Sequence, residues 1–175
     1  MEALKYPIGK LDLPSSIHLP DVKNWIKDIE NFPDLLRYEV ESLTLDQLEW
    51  KYRPEGWCIR QVVHHCADSH INSQMRFKLT LTEDKPTIKP YAEALWAQLP
   101  DMTAPIQWSL DLLDVLHKRW VVLLESLTEE DLKKEYVHPE HGRVFNLCQT
   151  VALYSWHCRH HLAHVKQAKA AKGSY

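Results

Sequence analysis

The sequence predicts an all-α fold, a four-helix bundle with a long crossover between its second and third helices. Three observations carry this. Only 4 glycines occur among 175 residues, and no alternating apolar and polar run reaches useful strand length. Four segments repeat apolar residues at helical period. A faint internal repeat relates the first pair of segments to the second: Glu41-Ser42-Leu43-Thr44 recurs as Glu125-Ser126-Leu127-Thr128. The same displacement sets Val22 on Ile106, Ile26 on Leu110, Ile29 on Leu113 and Leu36 on Trp120. The repeat reads as one helical hairpin used twice.

The first segment covers residues 21–43, with Val22, Ile26, Ile29, Leu36, Val40 and Leu43 on one stripe. Pro33 falls inside it. Proline lacks an N–H and crowds the preceding turn, so a kink or break is expected near Phe32. Thr44 with Gln47 reads as a capping box that starts a short turn, and Thr128 with Asp131 resembles one. The second segment covers residues 57–81. Residues 82–104 form the crossover, with Pro86, Pro90 and room for a short helix over 91–99. The third covers 105–127, with Pro105 suited to a first helical position. The fourth covers 147–171, and Gly173 is its stop signal.

Composition narrows the function classes. Hydrophobic residues make up 45% and charged residues 26%, the balance of an ordinary soluble domain, here one domain over 1–175. That length can bury a core without a metal or disulfide staple. The net charge is -3 and no Arg/Lys run stands out, which argues against nucleic acid; the partner expected of an enzyme here is a small-molecule substrate. The longest clearly apolar run, residues 120–124, is far short of a membrane span. Cys58, Cys66, Cys148 and Cys158 form no CxxC pair, and reduced cytosolic thiols are the economical reading.

Histidines carry the chemistry. His160 and His164 are four residues apart on one helix face and can close on one divalent metal ion. His65, on the second segment, can supply a third imidazole and leave room for water. The competing reading is helix-surface or satisfied core histidines. His65 shares its face with Asp68, Ser69, Asn72 and Arg76, a polar lane that is either solvated or lines a pocket. Asp68 is the best-placed carboxylate, as general base or as the group that orients a ligand histidine. His157, one turn before the pair, suits acid–base or supporting work more than ligation. His161 and His64 lie about 100° of helix rotation from their neighbours and read as structural or exposed. His138 and His141 lie in a loop that can fold over a bundle mouth.

The chain closely resembles the YfiT family of the DinB-like four-helix bundle superfamily. The matching motifs are Tyr6-Pro7-Ile8-Gly9, then Gly56-Trp57, then Arg60-Gln61-Val62-Val63-His64-His65-Cys66-Ala67-Asp68-Ser69-His70. Arg76-Phe77-Lys78-Leu79-Thr80-Leu81-Thr82-Glu83, Tyr136-Val137-His138-Pro139, Tyr154-Ser155-Trp156-His157 and His160-His161-Leu162-Ala163-His164 match as well. The resemblance covers nearly the whole chain. It implies a three-histidine metal site at His65, His160 and His164, and a cytoplasmic homodimer with metal-dependent hydrolase activity. Cys66 departs from the family's apolar residue, but a buried cysteine behaves as a small hydrophobe.

Three neutral histidines suit one divalent transition metal per chain, zinc first and nickel next. Water on such a zinc can ionise near pH 7, which supports hydrolysis. The rival enzyme reading is small-thiol S-transfer. A metal with an open position can hold a thiolate, and the superfamily includes thiol-dependent S-transferases. Arg60, Arg76 or Lys78 would then hold the cosubstrate's acidic groups. A non-catalytic metal-binding module is the third reading.

Overall fold

Four long helices form the body of the computed structural model, which describes residues 2–175, His141 without its side chain. α1 spans Leu19–Val40, α2 Ile59–Thr82, α3 Ile106–Glu125 and α4 Leu147–Ala171. These are the four expected segments. α1 packs against α3 and α4, and α2 packs against the same two. Helices consecutive in sequence within each pair therefore stand diagonally across the bundle. The expected hairpin used twice is corrected by this arrangement. The connection between α1 and α2 is much longer than the about 2–5 residues of a tight helical hairpin, so it can cross the bundle end.

α1 also runs through Pro33 without the expected break. The missing N–H deprives the Ile29 carbonyl of its helical donor. Nδ1 of the buried His117 supplies one from α3 at 2.6 Å. A side chain thus satisfies the backbone group that proline leaves unpaired. The capping boxes at Thr44/Gln47 and Thr128/Asp131 are both formed. Beyond α4, Gly173 has φ +77°, and a Cβ there would lie 2.8 Å from the Trp50 indole nitrogen, so the helix end closes on Trp50.

A short antiparallel hairpin precedes α4: β1, Glu135–His138, pairs with β2, Arg143–Asn146. Strands this short carry too few residues to show a period, so the segment reads as a loop in the sequence. The crossover is pinned to it. The Ile88 N–H donates to the Val137 carbonyl at 3.0 Å, and the Val137 N–H donates to the Pro86 carbonyl at 2.9 Å. Ile88, Tyr136 and Phe145 form a small second core there. All four cysteines are free and buried. Met75 of α2 is exposed. No helix among the described residues is long and apolar enough to cross a membrane.

Candidate metal centre

α2 and α4 pack side by side and present histidines to one another. One ring nitrogen each from His65, His157 and His161 lies within 4.8 Å of the others. Ring centroids are 4.8 Å apart for His65 and His161, 4.4 Å for His157 and His161, and 5.4 Å for His65 and His157. Among the described residues, this is the group with metal-ligand spacing.

The trio expected from the sequence is therefore not the trio the structure brings together. His65 belongs to the cluster; His160 and His164 do not. α4 carries two pairs at the same spacing, His157/His161 and His160/His164. Val151, Cys158 and Val165, each at most 1% exposed, anchor α4 in the core and set its rotation. That rotation aims the first pair at His65. His160 lies nearly flat on Trp156, centroids 4.2 Å apart. His164 stacks on Tyr52 at 3.8 Å and donates through Nε2 to the Lys5 carbonyl at 3.1 Å. These two rings are held by packing, and the Nδ1 of each is buried without a hydrogen-bond partner. His161, expected to be structural or exposed, and His157, expected in another role, complete the cluster.

The donor set fits a transition metal. His161 Nδ1 is buried with no hydrogen-bond partner, a costly arrangement it shares with His160 and His164; of the three, only His161 also has two further imidazole nitrogens within ligand-sharing distance. Burial, then neighbouring histidines, lowers every ring of the cluster: His65 to about 4, His157 and His161 well below the usual value. All three are neutral at pH 7, the state a ligand needs.

A buried relay sets the tautomer of His157. The Ile29 carbonyl can only accept, so His117 Nδ1 carries a hydrogen. Burial keeps His117 neutral, with its pKa at about 4, so its Nε2 accepts from His70 Nδ1 at 2.7 Å. His70, also held neutral by burial and next by His117, accepts in turn at Nε2 from His157 Nδ1 at 3.1 Å. His157 Nε2 is left with a lone pair, the form that binds a metal. Neither His70 nor His117 is among the residues the sequence points to. The signal for them was Pro33, whose missing N–H leaves a buried carbonyl in need of a donor.

Asp68 makes no side-chain hydrogen bond to the cluster. Burial, then the charge of Asp101, pushes its carboxyl up to about 6, so it faces the crossover. Its neighbour Ser69 does reach the site, with Oγ 3.4 Å from His157 Nε2 and 3.5 Å from Tyr154 Oη. His64 is structural, held by Ser109 at 2.7 Å and the Ala104 carbonyl at 3.1 Å. Beside His157 lies a cavity of about 700 Å³, lined by Ser69, Arg76 and Tyr154 and capped by Tyr136, His138 and Phe145 of the hairpin. The expected loop over the bundle mouth is this hairpin; the side chain of His141 lies outside the described residues.

The model of the DinB superfamily matches residues 28–165. A Bacillus cereus (strain B4264) protein is 50% identical over 165 residues, covering 94% of this chain and 95% of its own. A Bacillus mycoides (strain KBAB4) protein is 49% identical over the same coverage. Both bear the provisional name of metal-dependent hydrolase. The solved structure of YfiT from Bacillus subtilis is described as a probable metal-dependent hydrolase with an unusual four-helix bundle topology. It is 44% identical, with a TM-score of 0.95 over 98% of each chain.

Proposed function

The chain belongs to the DinB superfamily, and from that premise we propose that it is a metal-dependent hydrolase whose metal is held by His65, His157 and His161. The observation that carries this is the convergence of three neutral imidazole nitrogens, on the buried His65 and His161 and on the half-buried His157, which lines a cavity large enough for a small molecule. Three protein ligands suit a catalytic site, whereas structural zinc sites close with four. The donor chemistry favours zinc, with nickel next. Such a metal, when bound, supplies Lewis acidity and lowers the pKa of a coordinated water to about 7.

The chain's own groups do the rest. The relay from Ile29 through His117 and His70 keeps a proton on His157 Nδ1 and holds the ring in orientation. Ser69 and Tyr154 place hydroxyl groups on the cavity wall next to His157. Tyr136, His138 and Phe145 of the hairpin and Glu93 of the crossover line the cavity. Asp68 has no place in this scheme.

The test is turnover of an ester and amide panel by zinc- or nickel-loaded protein, with and without added thiols, and with His161→Ala as blank. Thiol-free turnover is expected, rising with pH to a plateau governed by a pKa near 7. Strict dependence on a small thiol, with the thiol carried into the product, would replace hydrolysis by S-transfer.

The protein acts as a homodimer in this reading, in the cytoplasm, a setting that suits free thiols. Trp108, Leu112, Val115 and Val122 form an exposed apolar stripe on α3. Their spacing is that of a helix seam. Val115→Glu should shift the protein from dimer to monomer by light scattering; an unchanged mass would place the dimer face elsewhere.

A further inference from the structure

Arg76 lies on the same face of α2 as Ser69, two turns further along, about 10 Å by helical rise. It is only 9% exposed. Its guanidinium forms no ion pair and no side-chain hydrogen bond among the described residues. The other two cationic candidates differ. Arg60 is paired with Glu49 at 2.7 Å, and Lys78 is exposed. A buried, unpaired charge costs stability and persists where something else uses it.

A second, poorly satisfied donor stands beside it. Tyr91 Oη is buried with no partner in full hydrogen-bond geometry, although the nearby Ser69 hydroxyl acts on it. Burial, then Glu93, pushes this phenol well above its usual range, so it keeps its proton. Arg76 and Tyr91 line one cavity of about 400 Å³, and Arg76 also lines the larger cavity that reaches Ser69 and His157. A buried guanidinium at the junction of the two spaces, with a poorly satisfied phenol in the smaller one, calls for an anionic acceptor. The planar guanidinium fork matches the two oxygens of a carboxylate, and the phenol supplies a further hydrogen bond. One arginine balances the single charge of a carboxylate better than the double charge of a phosphate monoester, the more so because Glu93 and Glu140 also line the smaller cavity and oppose added negative charge. Apolar walls from Tyr136, Phe145 and Leu153 would take the rest of a small organic acid.

We propose that Arg76 and Tyr91 form a carboxylate-binding subsite, so that the substrate is a small carboxylic acid whose reacting group lies toward His157. The substrate part of this inference rests on the hydrolase reading; the subsite itself does not. Its probes are benzoate, the uncharged benzamide and phenyl phosphate, titrated into zinc-loaded protein. The readout is the Arg76 Nε–H resonance. Benzoate should give a saturable shift, at least about tenfold tighter than benzamide, because charge-assisted hydrogen bonds are lost with the amide. Arg76→Met should abolish benzoate binding with metal content unchanged, and Tyr91→Phe should weaken it. Benzoate binding that persists in Arg76→Met would mean the carboxylate sits elsewhere. Tighter binding of phenyl phosphate would reassign the subsite to phosphate.

Thermal stability gives an independent check. Arg76→Met keeps the aliphatic stem and removes an uncompensated charge, so its midpoint should rise by about 2–4 °C. A fall would show that the guanidinium supports the fold, and would overturn the proposal. Finally, an ester bearing a carboxylate should outcompete its neutral isostere in kcat/KM, a preference lost in Arg76→Met. If neither ester turns over while the benzoate shift is present, the hydrolase reading fails and the subsite stands.

Discussion

His157→Ala and His161→Ala should each lose the metal, while His160→Ala and His164→Ala should keep it at one per chain. The first two remove nitrogens of the three-histidine cluster. The second two remove rings committed to Trp156, Tyr52 and the Lys5 carbonyl. His65→Ala belongs with the first group. Losing one of three ligands should weaken binding by more than about 100-fold, the upper end of what outer hydrogen-bond partners contribute. His70→Phe should fall between: it breaks the relay at its centre and frees His157 to adopt the other tautomer, for a loss of about 10–100-fold. Elemental analysis after dialysis gives the stoichiometry, and competition against a chromophoric chelator gives the affinity. Metal retained by His161→Ala and lost from His160→Ala would restore the trio expected from the sequence. Equal affinity in His70→Phe would leave the relay a packing feature.

The metal-free protein should be fully folded at pH 7 and should lose stability steeply between about pH 6.5 and 4. The sign follows from the buried histidines. His65 and His117 have folded-state values of about 4, lowered chiefly by burial, against an unfolded value near 6.5. Between those limits the unfolded chain binds more protons than the folded one, so stability falls as pH falls. Each such histidine contributes about 1.4 kcal/mol per pH unit, or about 3 kcal/mol across the window. A total stability of about 5–15 kcal/mol cannot absorb several of these. Asp68 works the other way, because its raised value of about 6 relieves a burial cost on protonation, but it is one group against several. Denaturant titrations from pH 7 to pH 4 would measure the slope, and zinc should shift the loss to lower pH by favouring the neutral rings. Stability unchanged down to about pH 4.5 would mean that the rings are solvated and charged in the native state.

Much of this protein was legible in its sequence. The apolar stripes Val22-Ile26-Ile29 and Leu110-Leu113 mark helices because side-chain direction repeats with the helical period, a local property. Capping boxes at Thr44 and Thr128 are legible for the same reason, since cap and partner are three residues apart. His65 stood out, and so did the cavity-facing lane of Ser69 and Arg76.

What the sequence by itself determined was the helices, the superfamily motifs and the presence of a histidine-rich α2/α4 pair. Only the tertiary structure decided which histidines meet. His157/His161 and His160/His164 have identical spacing, so nothing local distinguishes them; the choice depends on how α4 rotates when Val151, Cys158 and Val165 enter the core. The diagonal placement of α1 and α2 was hidden likewise, because a long connection permits either a return or a crossing. The pairing of Ile29 with His117 joins residues far apart in the chain, and so does the meeting of Arg76 with Tyr91. Helical period is written in neighbouring residues, whereas rotation, diagonal packing and the sharing of an unpaired donor between elements exist only once the elements are in contact.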